Sequence, residues 1–175
     1  MKSSLGKYWY ILLLVLVLIA LAILFFARPS HDKFGKNHPI PDGLEYSLPL
    51  DSTSMAQADT LDSSTYLVIR NGVQGGVYKY DFYYGPLPAG EIYLKCFEAT
   101  ENIPLSADEI QERSKVAVDS TSAFSQLVSQ QEFSIYEGEW EDYYAARIEV
   151  WFKNAATNQE TKLLEKVYRV EGWMR

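Results

Sequence analysis

The feature that most constrains this chain is the run YWYILLLVLVLIALAILFFA at residues 8–27, twenty residues without a charge, a proline or a glycine. As a helix rising about 1.5 Å per residue it would span about 30 Å, the thickness of a bilayer's hydrocarbon core. A helix also satisfies its own backbone N–H and C=O groups, which lipid demands. Leu, Ile, Val and Phe are favourable at that depth, and Tyr8, Trp9 and Tyr10 are residue types that settle among headgroups. A helix on a globular surface would carry a polar stripe, and this run has none. The expectation is a transmembrane anchor that holds the lipid bilayer through residues 8–27. A cleaved signal peptide is the rival reading, because Lys2 and Lys7 form a basic leader and Ala20-Leu21-Ala22 has cleavage-site spacing. Apolar residues continue through Phe26, which is long for such a leader, and the uncleaved anchor is preferred.

Orientation rests on a near balance. Lys2 and Lys7 precede the run, and Arg28, Lys33 and Lys36 follow it. A short basic stub before an N-terminal apolar segment looks like an uncleaved export signal. Residues 1–7 are therefore expected in the cytoplasm and the C-terminal domain outside it, in a bacterial envelope.

Residues 28–43, RPSHDKFGKNHPIPDG, read as a linker, since prolines and glycines interrupt regular structure. Both histidines of the chain, His31 and His38, fall here and are expected to be solvated rather than metal ligands. Residues 44–175 suffice for one domain with its own core. From residue 39 onward there are 11 Lys+Arg against 22 Asp+Glu, so 11 − 22 = −11. That charge opposes nucleic acid, and no nucleic-acid partner is expected.

Within the domain, strand patterns dominate. Candidates are residues 43–50, 64–71, 77–84, 91–99, 132–138, 145–154 and 162–173. Alternation is cleanest in VYKYDFYY, which places Tyr78, Tyr80, Phe82 and Tyr84 on one face. Ile92, Leu94 and Cys96 share a face, as do Ile148, Val150 and Phe152. Ser106 and Glu109 have the spacing of a capping box, which predicts a short helix over SADEIQERS. TSAFSQLVSQQ at residues 121–131 is ambiguous, with Phe124, Leu127 and Val128 at helical spacing diluted by serines. The expected fold class is all-β, sandwich-like, with about seven strands and one short helix behind the N-terminal transmembrane helix.

Chemistry-bearing residues are few. Cys96 is the only cysteine and reads as a buried, inert thiol, so no intramolecular disulfide can form. With both histidines in the linker, Ser-His-Asp and Cys-His catalysis have no base in the domain unless a linker histidine folds back. Gly72-Val73-Gln74-Gly75-Gly76 lies between two strands and reads as a hairpin turn, not a phosphate loop. The most distinctive stretch is the acidic, aromatic loop Glu137, Glu139, Trp140, Glu141, Asp142, Tyr143 and Tyr144. It is a possible contact site for a protein or carbohydrate ligand, because Trp and Tyr anchor interfaces and can stack on sugar rings. Its carboxylates could also hold Ca²⁺, but without EF-hand spacing. No catalytic residue, cofactor or metal is expected. The expected role is a non-catalytic binding or scaffolding domain. Alternatives are a carboxylate-dependent hydrolase acting on carbohydrate, or an accessory subunit of a membrane protein complex.

Overall fold

A computed structural model of the protein describes residues 5–26, 33–51, 65–120, 125–128 and 132–173. The chain divides into two compact units, Met1–His31 and Asp32–Arg175. In the first unit, helix α1 runs over Leu5–Phe26, 22 residues. It begins three residues before the apolar run; Ala27 at the predicted end lies outside the described residues, as does His31. Trp9 and residues 11–21 are exposed along it. Within α1 the described side chains are those alone, and among the described residues no helix is long and apolar enough to cross a membrane.

The second unit is mostly strand: β1 Tyr66–Asn71, β2 Val77–Tyr84, β3 Gly90–Glu98, β4 Val116–Val118, β5 Ser125–Val128, β6 Phe133–Ser134, β7 Tyr144–Asn154 and β8 Glu160–Val170. Two short helices, α2 Phe34–Asn37 and α3 Ala107–Ser114, accompany them. The strands form two antiparallel four-stranded sheets. One has the order β4-β3-β7-β8; the other has the order β1-β2-β5, with β6 also on β2. The alternation seen in the sequence explains the layering. Tyr78, Tyr80, Phe82 and Tyr84 all point inward from β2. Ile92, Leu94 and Cys96 from β3, and Ile148, Val150 and Phe152 from β7, belong to the same buried cluster. The inner faces of both sheets thus contribute to one core, as sandwich packing requires.

Buried phenols need partners for their hydroxyls. Tyr80 Oη donates to Ser114 O at 2.6 Å, and Tyr168 Oη donates to Leu67 O at 2.9 Å. Ser114 ends α3, and its Oγ accepts from Leu94 N at 2.8 Å, which pins the helix to β3. Burial also pushes the Cys96 thiol far above its ordinary range, so it stays protonated and unreactive.

Four expectations need correction. Residues 43–50 form no strand: Ser47 bridges β8 at Tyr168, and Leu50 bridges β1 at Arg70. The segment crosses from the edge of one sheet to the edge of the other, so neither register can extend along it. It covers backbone groups at both edges, including Val167 O and Ile69 O. Residues 132–138 supply only the two-residue β6, while β4 and β5 are extra strands; β5 lies in the ambiguous stretch, with Phe124 outside the described residues. The capping box does not form. Ser106 is left-handed at φ 41°, ψ 40° and makes no side-chain cap, because its Oγ donates to Glu137 Oε2 at 2.8 Å. Glu109 instead accepts from Tyr136 Oη at 2.7 Å and pairs with Arg113 at 2.6 Å. Finally, His38 is not a solvated linker residue. Its ring is 11% exposed, lies 4.2 Å from the Phe34 ring, and its Nε2 is 3.7 Å from Glu101. Phe34 meets Tyr144 edge-on at 5.0 Å, so this part of the expected linker packs on the β unit.

Candidate contact site

Several loops meet at the end of the β unit where β1 and β8 finish and β2 and β7 begin. Strands β1 and β2 are joined by residues 72–76, closed by Gly72 N donating to Val77 O at 2.7 Å. The hairpin reading of this glycine run therefore holds. The chain after β8 passes directly across the turn. Trp173 N donates to Ile135 O at 2.7 Å, and Ile135 N donates to Gly76 O at 2.9 Å. Gly76 has φ +73°, and a Cβ there would lie 2.2 Å from Trp173 N. Only glycine permits both that backbone conformation and that crossing. Gly172 is equally tight, since a Cβ would sit 2.3 Å from Glu137 O. Tyr78 Oη locks the same crossing by accepting from Glu171 N at 2.9 Å.

The loop singled out in the sequence splits into a base and a tip. At the base, Glu137 points inward: its carboxylate accepts from Ser106 N at 2.9 Å and from Ser106 Oγ. Tyr144 is 0% exposed, and its hydroxyl donates to Glu137 O at 2.7 Å. Asp142 accepts from Lys36 N at 3.1 Å and so holds α2. These three are internal ties rather than contact groups. At the tip, Trp140 is 58% exposed and Tyr143 43% exposed. Glu141 sits at φ 62°, with its N–H donating to Glu171 Oε2 at 2.7 Å. Glu139 Oε1 is buried without a hydrogen-bond partner among the described residues. Among the described residues no group of three or more His, Cys, Asp or Glu side chains converges as metal ligands would.

Two hollows flank the 72–76 turn. One, of about 440 Å³, is lined by Leu48, Asp51, Tyr78, Tyr143, Arg169 and Glu171 together with the turn itself. The Arg169 guanidinium lies 4.6 Å from the Tyr143 ring centroid, a cation–π pair on its rim. The other, of about 400 Å³, is lined by Val73, Gln74, Gly75, Trp140 and Trp173. The exposed large apolar side chains described in the β unit are Tyr46, Leu48, Tyr66, Val73, Trp140 and Tyr143. Leu48, Val73, Trp140 and Tyr143 line these two hollows, with Val73 91% exposed. Sequence reading found Trp140 and Tyr143. It missed Leu48, Val73 and Trp173, which come from remote segments with no acidic or aromatic run to mark them. An unpaired apolar residue inside a glycine turn was the one visible hint for Val73.

The outer face of the β4-β3-β7-β8 sheet is built differently. Glu149 points outward yet is only 4% exposed, because Arg147, Trp151 and Lys162 close over it. Lys162 also bonds Glu165 at 2.6 Å, which holds the Glu165 carboxyl below its usual range. Lys95 lies 4.1 Å from the Trp151 ring centroid. Charges and rings on that face pair with one another.

Comparison with known proteins finds no family model, no curated protein and no solved structure that matches this chain.

Proposed function

We propose that this chain is a single-pass, N-terminally anchored envelope protein whose β unit works by contact rather than by catalysis, through the loop end around Val73 and Trp140. The observation that carries the contact reading is the gathering of exposed apolar side chains at one end of the unit. Scattered exposed apolar residues need no explanation, but a contiguous group rimmed by polar side chains marks an interaction surface. Trp, Tyr and Arg are also the residues that dominate binding energy where they cluster. The anchor reading is supported by the sequence itself, whose run at residues 8–27 holds no charge, proline or glycine and has the length of a bilayer's hydrocarbon core. A helix apolar on all sides requires burial in protein or lipid.

Two measurements test the proposal. Full-length protein in native membranes should resist extraction by alkaline carbonate; release into the supernatant would sink the anchor. A photo-crosslinking residue at position 140 should give adducts that the same residue at position 157, an exposed site in the β7–β8 turn, does not. Equal adduct yields at both positions would remove the contact reading.

A further inference from the structure

The place where the chain enters the β unit bears on what the loop end faces. Lys33 is the first described residue of that unit, and α2 follows it at once. Lys36 N is bonded to Asp142, and Phe34 lies against Tyr144. The chain therefore enters beside residues 142–144, on the same end of the unit as Trp140. In the sequence only residues 27–32 separate Lys33 from Phe26, the last residue of α1, and even a fully extended chain of that length reaches no more than about 25 Å.

We propose that the loop end, with Val73 and Trp140 foremost, rests on the headgroup layer of the bilayer that holds the anchor. The inference depends on the anchor reading and names the partner of the contact site. The residue types fit a lipid surface. Trp and Tyr place an apolar ring in the acyl boundary and a polar edge among headgroups. Val73 at the turn and Leu48 add apolar area beside them, and Lys33, Lys36 and Arg169 are cations of the same end. Exposed Glu141, and the net charge of −11 from residue 39 onward, favour a zwitterionic surface over an anionic one. A soluble protein partner would not need its surface beside the point of chain entry; a bilayer does.

The buried Cys96 makes the test direct. Since the native thiol is inaccessible, Val73→Cys in the full chain carries the only labelling site, and Thr157→Cys serves as its control at the far turn. Each variant is labelled with an environment-sensitive fluorophore and reconstituted into phosphatidylcholine vesicles, with and without about one-third anionic lipid. The label at 73 should be blue-shifted, shielded from aqueous iodide several-fold relative to the label at 157, and quenched by headgroup-level spin-labelled lipid. Shielding should weaken when anionic lipid is added. Trp140→Ala in the Val73→Cys background should reduce the shielding. If the protein floats with vesicles while the label at 73 is as open to iodide as the label at 157, the lipid contact is overturned and the anchor stands. If the protein does not float, the anchor itself has failed. Shielding at 73 that appears only with added membrane proteins would assign the surface to a protein partner and overturn the proposal.

Discussion

The base and the tip of the loop at residues 137–144 have similar composition and opposite roles. Both hold carboxylates and aromatic rings. At the base, Glu137 and Tyr144 face inward, and every polar atom of Glu137 named above is tied to Ser106, just before α3, or to Tyr144 in β7. At the tip, Trp140 and Glu141 lie at the surface. The difference comes from what stands opposite. Ser106 offers a backbone N–H and a hydroxyl to Glu137, while Trp140 rests against Gly75, which offers no side chain at all. Composition marks a stretch as unusual, and the partner across the gap decides whether it becomes a strut or a surface.

The sharpest way to break this comparison is Tyr144→Ala. It removes a fully buried ring, its contact with Phe34 and its hydrogen bond, and should cost about 3–5 kcal/mol by thermal or chemical unfolding. A loss below about 1 kcal/mol would mean the base is not a strut. Gly76→Ala comes next. The new Cβ would meet the backbone of Trp173 at a positive φ, so a loss of about 1–3 kcal/mol is expected, with the Trp173 fluorescence environment changed as the crossing shifts. Glu137→Ala should cost about 1–3 kcal/mol, because Ser106 N and Oγ lose their acceptor; hydrogen exchange at the start of α3 should speed up correspondingly. An unchanged exchange rate there would show that water replaces the carboxylate at no cost.

At the tip the expected effects are small. Trp140→Ala should change stability by less than about 1 kcal/mol, since most of the ring is already in solvent. Glu141→Gln should change it by about 0.5 kcal/mol or less, as exposed substitutions do, and protection of the Val73 label should rise in vesicles containing anionic lipid. A large loss of stability from Trp140→Ala would erase the distinction between the two halves.

Much of the β unit was legible because its long strands alternate. In β2, β3 and β7 the period of two is strong enough to assign inner and outer residues, and the core follows. Legibility failed where a residue's fate depends on a distant partner. Residues 43–50 alternate like a strand, but one end bonds to β8 and the other to β1, and no local pattern encodes that crossing. The Ser106–Glu109 spacing is that of a cap, yet Glu137 and Tyr136, from about thirty residues away, take the two groups the cap would need. Glu149 looks like a solvated outer residue until Arg147, Trp151 and Lys162 close over it. The site was half readable for the same reason: its aromatic loop is contiguous, and its other wall is assembled from residues 48, 73 and 173.

The crossing segment has a mechanical consequence. Ser47 N donates to Val167 O at 2.9 Å and accepts from Arg169 N at 3.0 Å, while Leu50 N donates to Ile69 O at 2.9 Å and accepts from Asn71 N at 2.7 Å. A pull on the chain from its N-terminal side reaches these four hydrogen bonds before it reaches either sheet. They join the segment to an edge strand of each sheet, so the load is divided between two layers instead of peeling one strand from its neighbour. The first event under tension should be release of α2 and the residue 47–50 segment as a short slack length, with the two sheets still closed on each other.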